Sequence, residues 1–281
     1  MAELSIYEQL SFCTSRIETE DANGNSYSGT GFFFNLNLNV NDKIVPLLIT
    51  NKHVVKGMKK GLFRFTTADD DGLPNYKEHF TIEYSDNFEN MWFMHPFDDV
   101  DLCVLPINPL IEAANKKNRR LFYRSLNNGD IPNEVQKQSI DAVEEITMIG
   151  YPNGLWDSLN NMPIIRKGIT ATNYNLDYNG KKEFVIDAAC FPGSSGSPVM
   201  LCNVGGYRDK QGNLNWGNSR VYLLGILYAG PQLTVTGDIR IINIPTVQQK
   251  AMAVSHVPNN LGYIIKAERI LDFIPIFEPL I

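Results

Sequence analysis

Short runs of alternating or continuous apolar residues dominate this chain, and they predict strands. Gly29-Thr-Gly-Phe-Phe-Phe-Asn-Leu36 and Val45-Pro-Leu-Leu-Ile-Thr50 read as two strands that pair across a polar loop at 39–43. The second of them runs straight into Asn51-Lys52-His53. Leu102-Cys-Val-Leu-Pro106 is another buried strand, entered through the acids Asp98, Asp99 and Asp101. Strand character returns at 144–151, 164–173 and 184–189, and a long hairpin runs from Ser197 to Tyr228 with a Gly- and Asn-rich tip at 203–218. Helical signals are read at the two ends: a capping box at Ser5-Ile-Tyr-Glu8 and a helical pattern over 264–274. The polar stretch 115–138 reads as a connection between two halves, and 231–258 is longer than a hairpin needs, which suits a lid or binding surface.

Composition narrows the function classes. A chain of 281 residues can bury a substantial core. Its net charge of −6 excludes nucleic acid as the expected partner, because such binding needs a basic face. No run approaches the ~20 apolar residues of a membrane span, so no membrane is expected. The opening Met1-Ala-Glu-Leu-Ser-Ile6 lacks the charged and apolar regions of a secretion signal, which predicts a cytoplasmic protein. Cys13, Cys103, Cys190 and Cys202 have no metal-binding spacing and read as small core residues. Cys190 stands apart, because it lies within the segment that carries the chemistry.

That segment is Asp187-Ala-Ala-Cys-Phe-Pro-Gly-Ser-Ser-Gly-Ser-Pro-Val199. Glycines on both sides of Ser195 let the backbone turn sharply, as a nucleophile loop requires, and Gly193 and Ser195 can supply two N–H donors to an oxyanion. A tight turn between strands explains the same composition. An imidazole past one strand end and a carboxylate at the mouth of another give the order His, Asp, Ser, one of several convergent triad orders.

With Ser28-Gly-Thr-Gly-Phe-Phe-Phe34, Leu48-Ile-Thr-Asn-Lys-His-Val-Val55, Asp101-Leu-Cys-Val-Leu105 and Asp187–Val199 in order, the chain resembles the trypsin-like serine peptidases. The likeness is to the bacterial HtrA-like and glutamyl-endopeptidase-like branch, without a PDZ domain. It implies an all-β, chymotrypsin-like fold of two six-stranded antiparallel Greek-key barrels with a C-terminal helix. Residues 1–120 form the barrel of His53 and Asp101 on this reading, 121–140 the linker, and 141–281 the barrel of Ser195.

The resemblance implies a serine endopeptidase that needs no cofactor or metal and takes a protein or peptide substrate. Ser195 is the nucleophile, His53 the base, Asp101 the acid that orients it, and the N–H groups of Gly193 and Ser195 form the oxyanion hole. Ser194 stands where digestive members hold an aspartate that pairs with a new N-terminus. Control therefore falls to another device, such as an activating protein partner within a bacterial stress or defence system. The family pattern puts Ala189 at the floor of the specificity pocket beside Cys190, with Leu227, Tyr228, Ala229 and Gly262 as walls. An uncharged pocket implies an apolar P1 residue, unless the long segment contributes Asp238 or Arg240. The alternative is a catalytically idle protease fold kept as a binding module.

Overall fold

Phe32, Phe34, Leu47 and Ile49 face one apolar cluster and the alternate residues Phe33 and Leu48 face another, so the strands that carry them are buried on both sides. In the computed structural model, which describes residues 4–40, 42–238, 252–258 and 260–280, they lie on β2 and β3 of a nine-stranded sheet. Its strands are β1 (Thr14–Asp21), β2 (Ser26–Asn37), β3 (Ile44–Thr50), β4 (Met58–Ala68), β5 (Pro74–Tyr84), β6 (Phe93–Met94), β7 (Cys103–Pro106), β8 (Leu121–Phe122) and β9 (Leu126–Asn127). Phe32 pairs with Thr14 on one side and Ile49 on the other, which fixes the predicted hairpin in register.

The first half differs from the six-stranded barrel expected of it. The path is β5-β4-β1-β2-β3-β7-β6, and among the described residues its two ends do not pair. Six strands, β1 to β5 and β7, carry the half, and β6, β8 and β9 add two residues each. Runs that short leave no alternation to read. Two of them lie in the stretch taken for a connection: Leu121–Phe122 pairs with β4, and Leu126–Asn127 runs parallel to β2.

The second half is a closed barrel in the order β10-β11-β12-β19-β16-β13. Its strands are β10 (Glu145–Gly150), β11 (Ile164–Thr170), β12 (Glu183–Asp187), β13 (Pro198–Asn203), β16 (Arg220–Ala229) and β19 (Leu261–Lys266). Between them, β14 (Gly206–Arg208) pairs with β15 (Leu214–Trp216), and β17 (Gln232–Asp238) with β18 (Met252–Pro258). Arg240 lies outside the described residues. The predicted capping box opens α1 (Ile6–Leu10), and the helix expected over 264–274 starts later, because 264–266 pair within β19: a 3-10 segment at Ala267–Phe273 is followed by a turn of α-helix at Ile274–Phe277.

One apolar cluster joins the halves. Phe32, Phe34, Leu47 and Ile49 pack with Met200, Leu223, Ile226, Ile265 and Phe273. Burial of each such side chain contributes about 1.5–3 kcal/mol, so the two halves are held against each other by a shared core. Residues contributed by both can then meet at a fixed geometry. Among the described residues, no helix is long and apolar enough to cross a membrane.

Candidate active site

His53 sits in α2 (Lys52–Val55), a single turn of helix that begins where β3 ends. Its Nδ1 is 2.5 Å from Oδ2 of Asp101, and its own backbone N–H donates to Oδ1 of the same carboxylate at 3.1 Å. Asn51 Nδ2 donates to the Asp101 carbonyl at 2.8 Å. Both ends of Asp101 are therefore tied to the His53 turn. Asp98 and Asp99 are exposed on the preceding turn, so geometry separates Asp101 from its two neighbours. With Nδ1 engaged, Nε2 is the nitrogen left to exchange a proton, and the half-exposed imidazole can meet a ligand.

Ser195 sits in a loop built by two glycines at positive φ. Gly193 has φ 83° and Gly196 φ 87°, and a Cβ on Gly196 would lie 1.9 Å from the Thr30 carbonyl oxygen. No side chain fits there. Thr30 is the pin between the halves: its N–H donates to the Ser195 carbonyl at 2.9 Å and its Oγ1 donates to the Gly193 carbonyl at 3.0 Å. Its own carbonyl accepts from Thr50 Oγ1 at 2.7 Å, three residues before His53. The serine loop and the histidine turn are thus tied to the same residue of β2.

Phe191-Pro192-Gly193-Ser194 forms a turn closed by Ser194 N–H donating to the Phe191 carbonyl at 3.0 Å. Proline second and a positive-φ glycine third are what a type II turn requires. The Pro192 carbonyl accepts from Asn153 N–H at 2.5 Å. In a trans peptide the C=O and the following N–H point in opposite directions, so the N–H of Gly193 faces away from Asn153. Among the described residues, neither that N–H nor the one of Ser195 donates a hydrogen bond. Two backbone donors stand unused beside the serine.

Of the three serines, Ser194 and Ser197 are fully buried, while Ser195 is partly exposed on a cavity of about 330 Å³. Cys190, Phe191, Pro192, Leu227, Ala229, Gly230 and Pro231 complete the cavity wall. The trypsin-like peptidase domain family matches residues 29–205 of the sequence. The chain belongs to this family. Its enzyme class is accordingly that of the serine endopeptidases. No curated protein is similar to it in sequence. Among solved structures it is similar to the tobacco etch virus protease complexed with product, at 12% identity over 98% of this chain and 81% of that one, with a TM-score of 0.48. The serine endoprotease of Yersinia pestis is 14% identical over 98% and 67%, with a TM-score of 0.45. The Rv3671c protease of M. tuberculosis in its active form is 13% identical over 92% and 78%, with a TM-score of 0.44.

Against the family's pocket, the sequence-based assignments divide. Cys190, Leu227 and Ala229 line the cavity. Ala189 is not part of the cavity wall, and its carbonyl accepts from the Arg166 guanidinium. Gly262 backs the wall, since a Cβ there would lie 2.7 Å from Cys190 Sγ and 2.8 Å from Leu227 Cδ1. Tyr228 is turned out of the pocket. The pairing of β16 with β19 shifts register between Leu227 and Ala229, and the Tyr228 hydroxyl donates to Glu183 Oε2 at 3.0 Å instead. Sequence reasoning missed Thr30, Asn153 and Arg166. Thr30 lies within the quoted Ser28–Phe34 motif, but its role is a contact across the two halves and leaves no local signal. Cys13, Cys103 and Cys202 are buried as expected, and Cys190 has its thiol pushed up to about 11 by burial.

Proposed function

We propose that this peptidase cleaves protein or peptide substrates through Ser195, His53 and Asp101. Ser195 Oγ attacks the scissile carbonyl as His53 Nε2 takes its proton, and the new C–O bond leaves negative charge on the former carbonyl oxygen. The N–H groups of Gly193 and Ser195 receive that charge. Collapse breaks the C–N bond, the His53 proton goes to the departing amine, and a water molecule deprotonated by the same imidazole releases the acyl group from Ser195. Asp101 holds the imidazole tautomer and stabilises the imidazolium.

The observation that carries this reading is the 2.5 Å contact of His53 Nδ1 with Asp101 Oδ2, which leaves Nε2 as the proton acceptor. Among the described residues no hydrogen bond joins His53 to Ser195, which suits a contact that closes when a substrate or an activating protein partner binds. A catalytically idle binding module is the second reading, and that open contact is what favours it. Fluorophosphonate labelling with mass mapping separates the two. Label is expected on Ser195, Ser195→Ala is expected to lose it together with about 10⁶-fold in kcat, and Ser194→Ala and Ser197→Ala are expected to keep measurable activity. Labelling that persists in Ser195→Ala, or no labelling of the wild type, would overturn the assignment.

A further inference from the structure

The turn that presents Asp101 is exposed from Pro96 to Asp99, yet His95 and Val100 at its two ends are buried. Backbone bonds close it. His95 N–H donates to the Leu102 carbonyl at 2.9 Å, Val100 N–H to the Phe97 carbonyl at 3.2 Å, and Leu102 N–H to the Val100 carbonyl at 2.9 Å. The Phe97 carbonyl also accepts from Lys52 Nζ at 2.8 Å. Lys52 precedes His53, and Val100 precedes Asp101. One carbonyl oxygen therefore ties together the neighbours of both members of the acid–base pair.

Phe97 is itself held by His95. The Phe97 N–H donates to His95 Nδ1 at 3.1 Å, the contact that an Asp or Asn side chain makes two residues on in an Asx-turn. A backbone N–H can only donate, so Nδ1 carries no proton and the ring proton is on Nε2. That nitrogen donates to the Arg269 carbonyl at 3.1 Å and faces Asp272 Oδ2 at 3.2 Å. The side chain is wholly out of water, with the Phe273 ring edge-on at 5.2 Å. Burial lowers the His95 pKa, the Arg269 carbonyl and Asp272 oppose that shift, and the charges of Lys52 and Arg269 add to it. At pH 7 the imidazole is neutral, an acceptor on one edge and a donor on the other.

We propose that His95 is a positioning residue for the His53–Asp101 pair, acting through the Phe97 peptide. The inference rests on the catalytic reading above and adds to it the group that sets where the acid stands. Its Nε2 bond orients the ring, and its Nδ1 bond fixes the Phe97 peptide, whose carbonyl then holds Val100 and Lys52 in place. A side chain that merely filled the space between Phe97 and Phe273 would need volume alone. This one presents an acceptor to an exposed turn from a buried position, and that edge can be removed without the other.

The test compares His95→Asn with His95→Gln in the full chain. Asn Oδ1 takes the place of Nδ1 and holds Phe97, whereas the Gln amide takes the place of Nε2 and holds Arg269. Each variant gives up one buried hydrogen bond, so a loss of stability does not order them. His95→Gln is expected to lower kcat about 10- to 10²-fold on a peptide substrate with KM little changed, the scale of a displaced catalytic group. His95→Asn is expected to keep most of the kcat. In proton NMR the far-downfield resonance of the His53 Nδ1 proton, held on Asp101, is expected in wild type and His95→Asn and is expected to be lost in His95→Gln. Equal losses of kcat in the two variants, or wild-type kcat in His95→Gln, would overturn the inference and leave the catalytic reading standing. If fluorophosphonate fails to label Ser195 of the wild type, the catalytic reading falls and the His53 resonance alone judges His95: its loss in His95→Gln supports the positioning role, and an unmoved signal overturns it. Should His95→Gln fail to fold, Lys52→Met, made at a partly exposed side chain, loosens the same carbonyl. A several-fold lower kcat then supports the route through Phe97, and wild-type kcat overturns it.

Discussion

The two halves of the site are built by different means. His53 and Asp101 are joined within the first sheet: a carboxylate bonded to both the ring and the backbone of one residue, with Asn51 holding the acid from the other side. Ser195 belongs to a loop whose shape depends on contacts from outside it, Thr30 of β2 and Asn153 of the 152–162 segment. The first arrangement is set by its own strand ends. The second exists only when both halves and a separate loop are in place. Damage to the acid–base pair should therefore abolish chemistry locally, whereas damage to the supports of the serine loop should weaken it by degrees.

The largest effect expected from this contrast is at Asp101. Asp101→Asn should cost about 10⁴-fold in kcat, because the amide cannot hold the imidazole in the tautomer that leaves Nε2 free. Asp99→Asn, on the exposed turn, should stay close to wild type. Steady-state kinetics on one peptide substrate compares them. Equal losses in the two variants would show that the contacts to His53 do not select the acid.

These contacts also explain how far the sequence could be read. Leu48–His53, Asp101–Leu105 and Asp187–Val199 are local: each combines a strand with a turn at one of its ends, and alternation plus glycine placement suffices to find it. The pocket was harder. Counting along a strand puts Tyr228 in the wall, and the register shift between Leu227 and Ala229 defeats counting. Arg166 looked like any charge on a strand of strict alternation, where Ile165, Lys167 and Ile169 face solvent and Arg166 does not. An inward charge is legible as an anomaly only when the strand's facing is known. The first sheet kept its expected strands but gained β6, β8 and β9, whose pairing is set by tertiary contacts and not by their two-residue sequences.

A smaller loss is expected where the serine loop turns. A methyl group on Gly193 would lie 2.5 Å from the Tyr151 carbonyl oxygen and 3.2 Å from Gly154 N, both backbone atoms that cannot step aside. The residue also holds φ 83°, which strains any L side chain. Gly193→Ala should turn its N–H away and cost about 10²–10³-fold in kcat, the range for loss of one oxyanion donor. KM should change much less. A variant that kept more than a tenth of wild-type kcat would mean that the loop shape tolerates what its contacts forbid.

The mildest change tests the most distant support. Trp156 extends from the segment that carries Asn153 and meets two cations of the first sheet, with Arg16 5.3 Å and Arg64 4.9 Å from its ring centroid. Each cation–π contact at a partly exposed ring contributes about 0.5–1 kcal/mol, so the pair fastens the segment firmly but not rigidly to β1 and β4. Asn153 N–H in turn holds the Pro192 carbonyl, which aims the Gly193 N–H. Trp156→Ala should therefore lower stability by about 1–2 kcal/mol in urea unfolding and reduce kcat several-fold, while the His53–Asp101 pair, which shares none of these contacts, is left intact. Trp156→Phe should recover most of the kcat, since a phenyl ring keeps a face for both guanidinium groups. Equal kcat in wild type and Trp156→Ala, with stability alone reduced, would show that Asn153 holds its place without the ring and that the serine loop is no more dependent on remote contacts than the histidine turn.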